Sequence, residues 1–140
     1  MRRKEGQPYY SNEHSCFLLQ YHLVLVTKFR HPVITGNLRQ DLYSEIREIM
    51  DRYGYNILEI NGEEDHVHIL FETDTEFRVD RFVNMLKTQT SRQIRKTYAD
   101  TALKGWYWEN IFWAKGYFIS SVSENSLSTI QKYIQDQGKN

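Results

Sequence analysis

Cysteine is almost missing from this chain, with Cys16 alone among 140 residues. A single thiol excludes an intramolecular disulfide and a cysteine-rich zinc site. Net charge is missing as well, since 18 basic residues balance 18 acidic ones. That argues against indiscriminate polyanion binding and leaves local patches open. No apolar run approaches the roughly 20 residues needed to span a bilayer. The polar N-terminus lacks the apolar segment of a signal peptide, so the expectation is a soluble, cytoplasmic protein with no membrane partner. Repeats, low-complexity stretches and internal linkers are absent too. What is present suffices for a core: 40% hydrophobic and 14% aromatic residues in a length that suits one domain. The reading is a single domain over 1–140, with residues 1 to about 15 a loose polar arm.

The patterning along the chain alternates between two periods. Phe17 to Phe29 is a long apolar and β-branched stretch that reads as a central strand, broken at His31-Pro32. Leu38, Leu42, Ile46, Ile49, Met50 and Tyr53 recur at helical spacing, and Gly54 follows as a C-terminal cap. Tyr55 to Ile60 reads as a strand, Asn61-Gly62 as a turn, and His66 to Glu72 as the hairpin partner. A second amphipathic helix is expected from Val79 to about Tyr98, with Val79, Phe82, Val83, Leu86 and Ile94 inward. Gly116 to Ile119 suggests a last strand. A closing helix runs from about Glu124 to Gln137, capped by Ser123 and ended by Gly138. The order strand, helix, strand, strand, helix, strand defines an α+β, ferredoxin-like (split βαβ) antiparallel sheet with helices on one face, plus a C-terminal helix.

His66 and His68 stand one residue apart in a strand-forming run, so both imidazoles leave the same face. Two neutral imidazoles can supply two ligands to a divalent metal, or can be packed and hydrogen-bonded like any buried pair. In the last helix, Leu127, Ile130 and Ile134 form the packing face, and Tyr133 and Gln137 lie four apart on its flank. One reading is a half-buried tyrosine beside a solvated glutamine. The other makes Tyr133 a nucleophile and Gln137 an oxygen ligand to a metal on His66 and His68. Attack on a phosphodiester needs a nucleophile and neutralisation of charge building on the phosphoryl oxygens. Mixed nitrogen and oxygen ligands suit Mg²⁺ or Mn²⁺.

Several segments recur together: Tyr21-His22-Leu23-Val24 with Thr27-Lys28-Phe29-Arg30, Asp65-His66-Val67-His68, Gly116-Tyr117-Phe118, Ser121-Val122-Ser123, and Tyr133-Ile134-Gln135-Asp136-Gln137. In this the chain resembles the single-tyrosine HUH transposases, small TnpA-type enzymes of insertion sequences that move as single-stranded DNA. The resemblance spans about residues 17–137. It implies a homodimer that cleaves and rejoins single-stranded DNA through a 5′-phosphotyrosine, and that recognises hairpins at the element's ends. Carried over by position, His66, His68 and Gln137 hold the metal, Tyr133 is the nucleophile, and Asp65 supports the ligands from behind. Where the family often has an apolar residue and proline, this chain has Glu63-Glu64, which alters the hairpin turn rather than a ligand.

From Arg81 to Tyr98 there is no acidic residue, while Arg81, Lys87, Arg92, Arg95 and Lys96 cluster on the polar face. They form a candidate phosphate-binding surface, with Lys28 and Arg30 as weaker members. A merely solvated helix face is the bland alternative. Trp106, Tyr107, Trp108 and Trp113 can stack on bases or fill the core, and the core is favoured for most of them. His22 reads as a packed histidine, and His14 and His31 show no evident role. Two readings from other classes remain: a non-catalytic ferredoxin-like nucleic-acid-binding module, and a small His-x-His metalloprotein of cupin-like fold.

Overall fold

A computed structural model describes residues 6–107, 110–122 and 126–137. Four strands form an antiparallel sheet in the order β4-β5-β3-β6: β3 is Leu19–Val26, β4 Asn56–Glu63, β5 His66–Thr73 and β6 Phe118–Ser121. Helix α1 (Gly36–Tyr53) joins β3 to β4, and α2 (Val79–Tyr98) joins β5 to β6. This is the ferredoxin-like order read from the sequence. Helix α3 (Ser126–Gln137) closes the described chain.

The alternation along β3 and β5 divides the protein into two layers. Leu23, Leu25, Val67, Ile69 and Phe71 point to one face and pack against Leu42, Ile46 and Ile49 of α1 and Phe82, Val83 and Leu86 of α2, all buried. The intervening residues point to the other face, where Val24 and Val26 pack against Ile130 of α3. Cross-strand pairing sets Val24 opposite His68 and Val26 opposite His66. The histidines therefore share a face with α3 and lie opposite the main core.

Three boundaries depart from expectation for local reasons. Tyr10–Ser11 (β1), assigned by composition to a loose arm, pairs with Cys16–Phe17 (β2). Tyr10 is buried, and its hydroxyl donates to Glu72 Oε1 at 2.5 Å, while Gln20 donates to Glu72 Oε2 at 2.7 Å. The first long strand ends at Val26 rather than Phe29, because the chain turns at Lys28–Arg30. The β4–β5 turn falls at Glu64-Asp65, not at Asn61-Gly62. Gly62 lies inside β4 opposite Val67, with φ 154°, where a Cβ would stand 2.2 Å from the His66 carbonyl oxygen. Its role is close strand approach rather than turning.

The last helix also packs differently from the pattern. Leu127 is exposed, and the inward residues are Ile130, Tyr133 and Ile134. Ser123 and Gly138, expected as its caps, lie outside the described residues, as does Trp108. No helix among the described residues is long and apolar enough to cross a membrane.

Candidate active site and nucleic-acid interface

The β5 strand begins at His66, immediately after the turn that carries Asp65. The Asp65 carboxylate accepts from His66 Nδ1 at 2.8 Å through one oxygen and from Arg30 Nε at 2.8 Å through the other. Burial alone would raise its pKa, but the bonds from His66 and Arg30 outweigh that and hold it below the usual value. With Nδ1 engaged, His66 keeps Nε2 for another partner.

His68 is buried and is held by His22 of β3, whose Nδ1 lies 2.7 Å from His68 Nε2. The ring centroids are 4.9 Å apart and the planes differ by 20°. At that nitrogen separation the rings lie nearly edge to edge, the arrangement of a straight N–H···N bond. One ring donates and the other accepts, which two neutral imidazoles can satisfy. Burial lowers the pKa of both, while Glu59 opposes the shift in each. His68 thus offers Nδ1 while that bond persists. The sequence pattern makes His22 a packed histidine. It is packed, yet its partner is the second histidine of the pair, a relation that diagonal placement on neighbouring strands creates and linear spacing conceals.

Tyr133 sits half-buried on α3 with its ring 5.5 Å from that of Phe118, and burial raises the pKa of its hydroxyl. Phe118, Val24, His68 and Asn61 form one row across the sheet. Two strand spacings, roughly 9–10 Å, therefore separate the Phe118 backbone from that of His68. Helix α3 packs over β3 and β6. Tyr133 and the histidines share a face but not a strand. Gln137, one turn beyond Tyr133, ends the described helix and is partly buried.

The donor set suits a divalent cation: two imidazoles, each with one nitrogen tied by a neighbour, the usual way such ligands are oriented. Among the described residues, no group of three or more His, Cys, Asp or Glu gathers closely enough to hold an ion. An oxygen donor of another type, such as an amide, or water would complete this set.

The basic residues divide into three kinds. Arg92, Arg95 and Lys96 line a groove of about 510 Å³ between α2 and the following segment, with Leu103, Tyr107 and Asn110 on the other wall. A smaller groove of about 270 Å³ shares Arg92, Arg95 and Asn110 and continues past Thr88 and Ser91. Arg81 is exposed near the start of α2, outside both linings. Lys87 also lines the smaller groove, but both it and Arg30 have structural partners. The Lys87 ammonium donates to the carbonyls of Ala114 at 2.9 Å and Gly116 at 2.6 Å, and burial lowers its pKa. Arg30 holds Asp65, and Lys28 lies over the Phe29 ring at 5.0 Å. Trp113 is core, its indole N–H donating to Thr90 Oγ1 at 3.0 Å.

Fold and site together define a ferredoxin-like protein with paired imidazoles on one sheet face, a tyrosine-bearing helix over that face, and a basic groove on the second helix. The profile of the IS200-like transposases matches residues 15–137. The chain belongs to that family. It is 31% identical over 137 residues to the ISDra2 transposase TnpA of Deinococcus radiodurans, covering 98% of this chain and 92% of the relative. Its fold is similar to the crystal structure of a proposed transposase from Deinococcus radiodurans R1, with a TM-score of 0.84 and 27% identity over 91% of this chain and 97% of the other. A second similar fold is a REP-associated tyrosine transposase bound to a REP hairpin. Its TM-score is 0.58 at 9% identity, covering 86% of this chain and 68% of that one.

Proposed function

We propose that this transposase cleaves and rejoins single-stranded DNA through Tyr133, at a site where His66, His68 and Gln137 hold Mg²⁺ or Mn²⁺. The observation that carries the reading is the paired imidazoles, each oriented by a neighbour, on the sheet face that α3 covers. The Tyr133 oxygen attacks the scissile phosphorus, a P–O bond forms, and the bond to the 3′ oxygen breaks. The tyrosine proton passes to an acceptor, and the departing 3′ oxygen takes one up. The product is a 5′-phosphotyrosine ester, and attack by a 3′-hydroxyl reverses the step without a nucleotide cofactor. A bound divalent ion supplies neutralisation of the charge that builds on the phosphoryl oxygens. Asp65 fixes the ring orientation and tautomer of His66, and His22 does the same for His68.

Burial raises the Tyr133 pKa, so the hydroxyl needs a proton acceptor or a more polar setting before it attacks. Its place over β6, about two strands from His68, means that α3 has to shift, or that it serves the site of a second copy. Excising an element needs two cuts, and each chain offers one nucleophile in the motif position. Both points favour a homodimer. The groove at Arg92, Arg95 and Lys96 then takes the phosphates of a hairpin at the element's end. The hairpin bound by the REP-associated relative supports a DNA hairpin as partner here.

The test is incubation with labelled single-stranded DNA from the ends of the chain's own element, with Mn²⁺ or Mg²⁺. The expected result is a denaturation-resistant protein–DNA adduct that Tyr133→Phe abolishes while hairpin binding stays within about twofold. Chelation or His66→Ala is expected to stop cleavage as well. A dimer that binds hairpins and never forms the adduct would make the chain a non-catalytic nucleic-acid-binding module.

A further inference from the structure

Phe29 is 56% exposed where most of the described aromatic rings are at least partly buried, and its placement is held rather than loose. Phe29 and Arg30 both take left-handed backbone conformations, with φ of 59° and 54°. Such conformations are uncommon in residues other than glycine and persist where their surroundings enforce them. Here the enforcement is visible. Thr27 N–H donates to the Asp65 carbonyl at 2.9 Å, and Thr27 Oγ1 donates to the carbonyls of His31 at 2.9 Å and Asp65 at 3.1 Å. Lys28 N–H donates to the Phe112 carbonyl and Arg30 N–H to the Thr27 carbonyl, each at 2.9 Å. The strained turn thus does two things at once. It aims Arg30 at Asp65, and it presents the Phe29 ring to solvent.

Behind Phe29 the aromatic surface continues. The His31 ring lies 5.6 Å from Phe29 and 4.9 Å from both Trp106 and Tyr107. Burial lowers the His31 pKa, which favours the uncharged ring. Trp106 is 40% exposed, and Tyr107 is also a wall of the basic groove. The ridge therefore joins the Arg30–Asp65–His66 corner at one end to Arg92, Arg95 and Lys96 at the other. The Lys28 ammonium lies over the Phe29 ring, 5.0 Å from its centroid, and adds a cation to the ridge.

We propose that Phe29 and Trp106, backed by His31, form a stacking platform for unpaired bases, binding the single-stranded segment between the groove-bound part of a DNA and the histidine site. Aromatic faces flanked by cationic side chains are what a single strand requires: bases stack on the rings while phosphates meet the charges. Paired bases already stack within their duplex and gain nothing from such a surface. The platform thus confers preference for unpaired DNA beside the site without reading its sequence. This rests on the single-strand reading above, and the two are separable by experiment.

The assay is fluorescence anisotropy with Tyr133→Phe protein, using a blunt hairpin and the same hairpin carrying an unpaired flank in which 2-aminopurine replaces each base in turn. The expected result is quenching at one or two flank positions. The added Phe29→Ala and Trp106→Ala changes abolish that quenching and weaken flanked-hairpin binding by roughly 5- to 100-fold. Binding of the blunt hairpin stays unchanged. Phe29→Tyr retains the quenching and Phe29→Leu loses it, which separates stacking from bulk. The proposal is overturned if quenching survives the double change, if Phe29→Leu behaves as the parent does, or if the double variant instead converts a dimer to a monomer, which would make the ridge a contact between copies. Adduct formation with the native Tyr133 is scored in parallel. An adduct without Phe29-dependent quenching removes the platform alone, and Phe29-dependent quenching without an adduct removes the cleavage reading alone.

Discussion

Asp65→Asn changes one oxygen to a nitrogen at a residue whose two oxygens each accept a bond, from Arg30 Nε and from His66 Nδ1, both at 2.8 Å. The amide cannot serve both. If its oxygen faces His66, its N–H₂ meets the Arg30 N–H, two donors in contact. If its N–H₂ faces His66, the ring must accept at Nδ1 and carry its proton on Nε2, the nitrogen a metal would need. A charge-assisted bond is worth roughly 1.5–3 kcal/mol, and partial exposure of Arg30 reduces that, so about 1–2 kcal/mol of stability is expected to go. For a chain of this size that is a fall in Tm of roughly 2–8 °C. Affinity for Mn²⁺ is expected to fall about 10- to 100-fold by isothermal calorimetry, the usual effect of losing such an orienting partner. The folded pKa of Asp65 lies below its unfolded value of about 4. Its contribution is therefore complete above about pH 4 and disappears as pH falls through the lower folded value. The gap in urea stability between parent and variant should accordingly narrow below pH 4. An unchanged Mn²⁺ affinity, or a stability gap as wide at pH 3 as at pH 7, would refute the reasoning.

Lys87→Met keeps the aliphatic stem and removes the ammonium that joins α2 to the Ala114 and Gly116 carbonyls. It is expected to cost about 2 kcal/mol in chemical denaturation and to speed amide exchange around residues 112–117. If Lys87 is chiefly a phosphate contact, the variant will instead lose DNA affinity with little change in stability. Replacing Arg92, Arg95 and Lys96 together by Gln is expected to reduce the slope of log affinity against log salt by roughly 2–3, with stability nearly unchanged. An unaltered slope would move the DNA to another surface.

Much of the fold was legible because its signals are local. The 3.6-residue recurrence from Leu38 to Tyr53 and the run from Val79 to Tyr98 marked α1 and α2, and α2 has the predicted bounds. Gly54 caps α1 in the left-handed conformation expected of it, with φ 76°. Misreadings came where two local signals compete. Asn61-Gly62 is a strong turn dipeptide, yet strand pairing carried past it to Glu63, and Glu64-Asp65 turn instead. Leu127 has the right spacing for an inward residue and is exposed, while Ile130, Tyr133 and Ile134 make the contacts with Val24, Val26 and Phe118.

The sequence by itself determined that His66 and His68 share one face, that Asp65 adjoins them, and that a tyrosine and an amide follow at helical spacing. Those relations depend only on the two-residue and four-residue periods of strand and helix. The tertiary structure decided which residues meet across elements. It gave Arg30 to Asp65 and Lys87 to backbone carbonyls, although by spacing alone both belong to a surface for DNA phosphates. It brought His22 to His68, and it set α3 over β3 and β6. Strand order and cross-strand register decide such meetings. Both are consequences of burying two sheet faces at once, and no spacing within a single segment encodes them.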